Sequence, residues 1–166
     1  IYLATLRNKM LQLATDISEG AIWANASLSH MAQQLSEIPN AVRDDFFLAN
    51  MIPTVIDDDV EAARAVNRRT LTGYVSLPNY RNYWRAAGYV EEMDAIEAAI
   101  EAGNKDILPS LMSDKWLDDN TISGSASHVR ARFEEWAHAG VTPIAVMSST
   151  TGGQVKAINQ LFDVYS

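Results

Sequence analysis

Short apolar runs alternate with helical periodicity along most of this chain. Ile1-Tyr2-Leu3-Ala4-Thr5 is an apolar run that suits a parallel strand covered on both faces. Met10, Leu13, Ala14 and Ile17 then recur at helical spacing, with Asn8 placed as N-cap and Gly20 placed to end the helix in the left-handed conformation. Ala21-Ile22-Trp23-Ala24-Asn25 reads as a second strand, so the chain opens with one βαβ unit. Ser29 to Ile38 reads as a helix with Met31 and Leu35 inward, stopped by Pro39-Asn40. Phe46 to Ile56 is the longest strand candidate, with Pro53 marking an end or a bulge inside it. Asp57-Asp58-Asp59 directly precedes Val60-Glu61-Ala62-Ala63-Arg64. Carboxylates at a helix start, with Arg64, Arg68 and Arg69 further along, match the helix macrodipole, and a cap is preferred to a metal site.

From Leu77 to Asn120 the strand–helix rhythm breaks. An aromatic cluster (Tyr74, Tyr80, Tyr83, Trp84, Tyr89) is followed by two helical stretches, Glu91–Ala102 stopped by Gly103 and Asp106–Leu117 with Pro109 in its first turn. Consecutive helices between strands predict a helical insertion over 77–122, within a single partial domain spanning 1–166. Regularity returns at Ser125: Val129, Phe133, Trp136 and Ala137 mark a helix face, Gly140 ends it, and Pro143–Met147 is the last strand. The loop Ser148–Gly153 then leads into a helix with Val155, Ile158, Leu161, Phe162 and Tyr165 on one side. The expectation is an α/β fold of about four strand–helix units.

Composition narrows the function classes. A net charge of -8 argues against a general affinity for nucleic acid or anionic lipid, although one phosphate needs only a few local donors. The absence of cysteine excludes disulfides, thiolate nucleophiles and Cys-based metal sites, and fits a cytoplasmic protein. No apolar run is long enough to span a bilayer. A core strand at the first position reads as the start of a fragment, truncated or cleaved.

The stretch from Ile1 to Ala14, followed by Ser18-Glu19-Gly20, resembles the luciferase-like monooxygenase family. In that family a strand of this type leads into a short phosphate-contacting turn and a helix ending in an acidic residue and Gly. The resemblance continues through Val55–Arg64, Leu77-Pro78-Asn79-Tyr80-Arg81-Asn82-Tyr83 and Gly124-Ser125, and so spans essentially the whole chain. It implies the C-terminal half of a (β/α)8 TIM-type barrel, roughly strands five to eight. Members bind reduced flavin mononucleotide (FMN) or the deazaflavin coenzyme F420 at the C-terminal mouth and oxidise or reduce a small organic substrate, some as monooxygenases with molecular oxygen. The chain is then expected to be inactive alone. Its two open sheet edges should drive homodimerisation or association with the missing N-terminal half. Two departures stand out: Arg7-Asn8 replaces the Gly-Pro of many relatives, and Ala126-Ser127-His128 replaces the Pro-Glu-Glu that often follows the capping Ser.

The candidate cofactor-binding residues are Thr5, Leu6, Arg7, Asn8 and Lys9, with Asn25 at the end of the second strand. A helix N-terminus favours an anion, Arg7 and Lys9 add charge, and Thr5 and Asn8 add polar contacts; a plain capped helix start is the alternative. Asn25 either orients a ring or substrate or caps the next helix. Ser148–Gly153 is a rival phosphate loop. His30, His128 and His138 have no metal-ligand spacing, so no metal is assigned; His30 is kept for proton transfer. The Tyr80–Tyr89 cluster lines a pocket, forms a lid or dimer contact, or packs the helices, with Arg81 and Arg85 snorkelling or ion-paired. No catalytic acid or base is assigned. Two other readings stay open: a self-associating, non-catalytic half-barrel that at most binds a phosphorylated ligand, and an unrelated doubly wound α/β domain, which a switch point in strand order would reveal.

Overall fold

The computed structural model describes residues 1–39 and 45–165. A parallel sheet is built from β1 (Tyr2–Ala4), β2 (Gly20–Ala24), β3 (Phe47–Ile56), β4 (Ile122–Gly124) and β5 (Thr142–Val146). β2 pairs with Phe47–Met51 and β5 with Ala49–Pro53, so the two lie on opposite edges of β3. The order β1-β2-β3-β5 follows the chain without reversal, which leaves no switch point of the doubly wound kind. Pro53 does not end β3. It marks a change of partner, because the pairs with β5 stop there and Thr54–Ile56 pair with β4. A strand as short as β4 carries too little pattern to be read from sequence.

The helices are α1 (Asn8–Ile17), α2 (Met31–Ser36), α3 (Val60–Val75), α4 (Pro78–Ala86), α5 (Val90–Glu101), α6 (Asp114–Asn120), α7 (Ala126–His138) and α8 (Gln154–Asp163). Asn40, expected to help stop α2, lies outside the described residues. The Asp cap is as expected: Asp59 accepts from Glu61 N at 3.1 Å and Ala62 N at 3.0 Å. The arginines beyond it are ion-paired, Arg64 to Asp118 at 2.6 Å and Arg68 to Asp114, tying α3 to α6. Asp106–Leu117 is not one helix. A 3-10 stretch, Lys105–Leu111, contains Pro109, and Ser113 Oγ then caps α6 by accepting from Trp116 N at 3.1 Å. Arg81 and Arg85 are ion-paired, both to Glu97 and Arg85 also to Asp94.

All four tryptophans (Trp23, Trp84, Trp116, Trp136) are fully buried, and Trp84 meets Trp116 edge-on at 4.8 Å between centroids. Gly20 does not terminate α1, which stops at Ile17 with Ser18 extended; it opens β2 instead. The helix faces differ from expectation at both ends of the sheet. In α1 the buried residues are Leu11 and Ala14, while Met10, Leu13 and Ile17 are exposed. In α8 only Ala157 is buried, while Val155, Ile158, Phe162 and the following Tyr165 are exposed; Leu161 packs against the core. Ala137 of α7 also faces solvent. Registered neighbours in a parallel sheet share a face, which groups Tyr2, Ile22, Ala24, Phe47, Met51, Ile144 and Val146. This face is incompletely covered, with Tyr2 53% and Met51 41% exposed.

Candidate functional site

The turn between β1 and α1 stands at the C-terminal end of β1. Thr5 N donates to Ile22 O at 2.9 Å, which buries Thr5 and leaves its Oγ1 with no hydrogen-bond partner among the described residues. Leu6 packs against the core. Arg7, not Asn8, is the N-cap of α1, and it makes no side-chain cap. The first turn of α1 therefore keeps free N–H donors and contains no acidic residue. Asn8 Oδ1 instead accepts from Gln34 Nε2 at 3.0 Å, and Gln34 Oε1 accepts from Trp23 Nε1 at 2.7 Å. This relay holds the helix start to α2 and to the core.

Above the turn lies a cavity of about 540 Å³. Arg7, Asn8, Lys9 and Met10 form one wall, His30, Gln33 and Gln34 a second, and Tyr83 and Ala86 a third. Among the described residues its lining contains no carboxylate, in a protein of net charge -8. Neither Arg7 nor Lys9 forms an ion pair among the described residues. His30 is 8% exposed and stands edge-on to Tyr83, 5.7 Å between ring centroids. Burial pushes its imidazole pKa down, and the charge of Asp119 opposes that only in part. Burial likewise pushes the Tyr83 phenol up.

The helical segment from Pro78 to Asn120 fixes the loop that carries His30. Tyr83 Oη accepts from Ser27 N at 3.0 Å. Asn120 Oδ1 accepts from Ser27 Oγ at 2.6 Å and Trp84 Nε1 at 2.8 Å. Asp119 accepts from Ser29 N at 2.9 Å, Ser29 Oγ at 2.7 Å and Tyr89 Oη at 2.8 Å. The aromatic cluster thus supplies both packing and one cavity wall. Asn25 sits just before this loop in the left-handed conformation, φ 58°, buried, with Nδ2 lacking a hydrogen-bond partner among the described residues. It is neither a helix cap nor part of the cavity lining.

The sequence-predicted residues Arg7, Asn8 and Lys9 therefore share one cavity, Thr5 and Leu6 lie in the turn that leads to it, and Asn25 lies apart. Tyr83 belongs to the aromatic cluster expected to line a pocket, form a lid or dimer contact, or pack the helices, whereas Gln33 and Gln34 were not expected as lining. Gln34 follows Met31 by three positions on the inward face of α2, and a polar residue at a core position was the available signal. His128 and His138 are exposed. The rival loop, Ser148–Gly153, is drawn toward Asp57, whose carboxyl is held low by a hydrogen bond with Thr151. A carboxylate in that position opposes a phosphate. No cluster of metal-binding side chains exists among the described residues.

Comparison with known proteins decides the family. The sequence model for the luciferase-like monooxygenase family matches residues 1–143. The chain belongs to that family. No curated protein sequence matches it. Among solved structures, it is similar to the coenzyme F420-dependent tetrahydromethanopterin reductase from Methanopyrus kandleri (TM-score 0.77, 21% identity, 96% of this chain and 48% of that one). It is also similar to an F420-dependent secondary alcohol dehydrogenase in complex with an F420-acetone adduct (TM-score 0.62, 15% identity, 97% of this chain and 46% of that one). This luciferase-like chain thus spans less than half the length of either structure and shares their fold over nearly all of its own.

Proposed function

We propose that the chain is part of a flavin- or deazaflavin-dependent oxidoreductase and contributes the seat for the cofactor's phosphate. The carrying observation is the cavity at the start of α1, with two cations that form no ion pair among the described residues, a helix N-terminus without a side-chain cap, and no carboxylate among its described lining residues. The donor chemistry fits a phosphate-bearing tail: Arg7 and Lys9 neutralise charge, and the amides of the first turn donate. Thr5 Oγ1 and Asn25 Nδ2, both buried and without a hydrogen-bond partner among the described residues, lie close to the strand ends. Coenzyme F420 is favoured over FMN because the two similar structures named above are F420-dependent enzymes. When bound, such a cofactor supplies the hydride chemistry. The residues of this chain bind and orient it, and the substrate is a small organic molecule. Titration with coenzyme F420 and with FMN tests the reading. Lys9→Gln or Arg7→Gln is expected to weaken binding about tenfold, the worth of one charge-assisted hydrogen bond; affinity unchanged in the double variant contradicts it.

The incompletely covered sheet face and the exposed stripes of α1 and α8 bear on the state in which the chain works. We read them as surfaces that further strands and helices cover in a closed barrel, supplied by another βα half. Taken alone, the chain should self-associate through these surfaces. Light scattering is expected to give at least twice the chain mass at micromolar concentration, and a monomer that binds no apolar dye contradicts this.

A further inference from the structure

His30 and Tyr83 are buried titratable groups in the cavity lining that the proposed phosphate seat does not use, and His30 is the one whose ordinary titration range lies near neutral pH. His30 is more than nine-tenths buried and lines the same cavity as Arg7 and Lys9, and its imidazole makes no hydrogen bond among the described residues, although its backbone N donates to Ser27 O. A buried imidazole normally satisfies its ring nitrogens within the protein. Here the neighbours that could do so are otherwise engaged. Asp119, the nearest carboxylate in electrostatic terms, spends its oxygens on Ser29 and Tyr89. Gln34 is committed to Asn8 and Trp23, and Tyr83 receives Ser27 N and presents its ring to His30. The ring nitrogens are left for whatever enters the cavity.

We infer that His30 makes the cavity's grip on an oxyanion pH-dependent, joining Arg7 and Lys9 as a third cation once an anion is bound. The inference rests on reading the cavity as an oxyanion seat and adds a regulation of it. The charged and titratable groups around His30 are Arg7 and Lys9 from the turn before and into α1, Tyr83 from α4, Asp119 from α6, and Tyr89 next to Asp119. Burial pushes the empty-cavity imidazole toward its neutral form, and Asp119 offsets this only partly. An anion reverses the balance by placing negative charge against the ring. Binding then takes up a proton, so affinity rises as pH falls between the depressed value of the free imidazole and the raised value of the bound one. Above both values affinity is constant and rests on Arg7, Lys9 and the helix start alone.

Sulfate is the appropriate probe, because it stays dianionic across this range whereas phosphate titrates within it. The measurement is the imidazole NMR titration of the chain from pH 8 to 5.5, with and without sulfate. The His30 titration is expected to lie below the ordinary histidine value without sulfate and to move up by about one pH unit with it. Sulfate affinity should correspondingly be several-fold higher at pH 5.5 than at pH 8, with about tenfold as the limit well below both values. His30→Gln, which keeps a donor but cannot titrate, should bind sulfate with the high-pH affinity of the parent at every pH. Sulfate binding without a shift of the His30 titration, or a pH slope that survives in His30→Gln, overturns the inference and leaves the anion seat standing. Absence of sulfate binding at every pH, with the amide spectrum of a folded chain, overturns the seat and the inference together. The titration of the parent chain decides the matter even if the variant fails to fold.

Discussion

Replacing Gly20 with alanine is expected to destabilise the chain by about 3 kcal/mol, the upper range for forcing a methyl into a packed interior. Gly20 pairs in register with Tyr2 on one side and Phe47 on the other. A Cβ there would lie 2.4 Å from the Phe47 carbonyl oxygen and 2.8 Å from both Phe47 Cβ and Tyr2 Cδ1. The two rings approach over the glycine, 4.8 Å between centroids. Backbone must move to admit the methyl, and the three strands that carry the cavity move with it. For a chain of this size the melting temperature should fall by roughly 6–12 °C. Gly152→Ala is the control: the three atoms nearest its Cβ all belong to the Lys156 side chain, a flexible end that can swing aside. A thermal melt in which the two variants are alike contradicts the account of Gly20.

Asn120→Ala is expected to cost about 3 kcal/mol and to loosen the cavity from a distance. Asn120 is fully buried, accepts from Ser27 Oγ and Trp84 Nε1, and donates to Trp116 O at 2.6 Å. Truncation strands the Ser27 hydroxyl and leaves Trp84 Nε1 only the Asn25 carbonyl, at 3.2 Å. Ser27 begins the loop that ends at His30, and Ser27 N also rests on Tyr83. The substitution should therefore lower the urea midpoint and weaken cofactor binding, although Asn120 does not line the cavity. An unchanged midpoint, or a lowered midpoint with unchanged affinity, shows that the helical segment does not position the loop.

These two positions also show what the sequence could and could not convey. Four of the five strands are visible as apolar runs, and the capping roles of Asp59 and Ser125 follow from their places before helical periodicity. Gly20 is conspicuous in sequence, but its purpose is a close approach of three strands, which only tertiary register creates. The turn Arg7–Lys9 is legible because charge, a polar residue and a helix start coincide locally. The remainder of the cavity is not, since Tyr83 reaches it from a helix more than fifty positions away, across Ser27. Periodicity announces that α1 and α8 have apolar stripes without saying which stripe is covered. In α1 the stripe Leu11–Ala14 faces the sheet and Met10–Leu13–Ile17 faces outward, so the more conspicuous pattern belongs to the uncovered flank.

The most direct test of the central claim is the backbone amide spectrum of the chain during addition of coenzyme F420, with FMN in parallel. The account predicts shifts concentrated at Arg7, Asn8 and Lys9 and at the facing His30. Shifts confined to Ser148–Gly153, or no shifts at saturating cofactor, would contradict it.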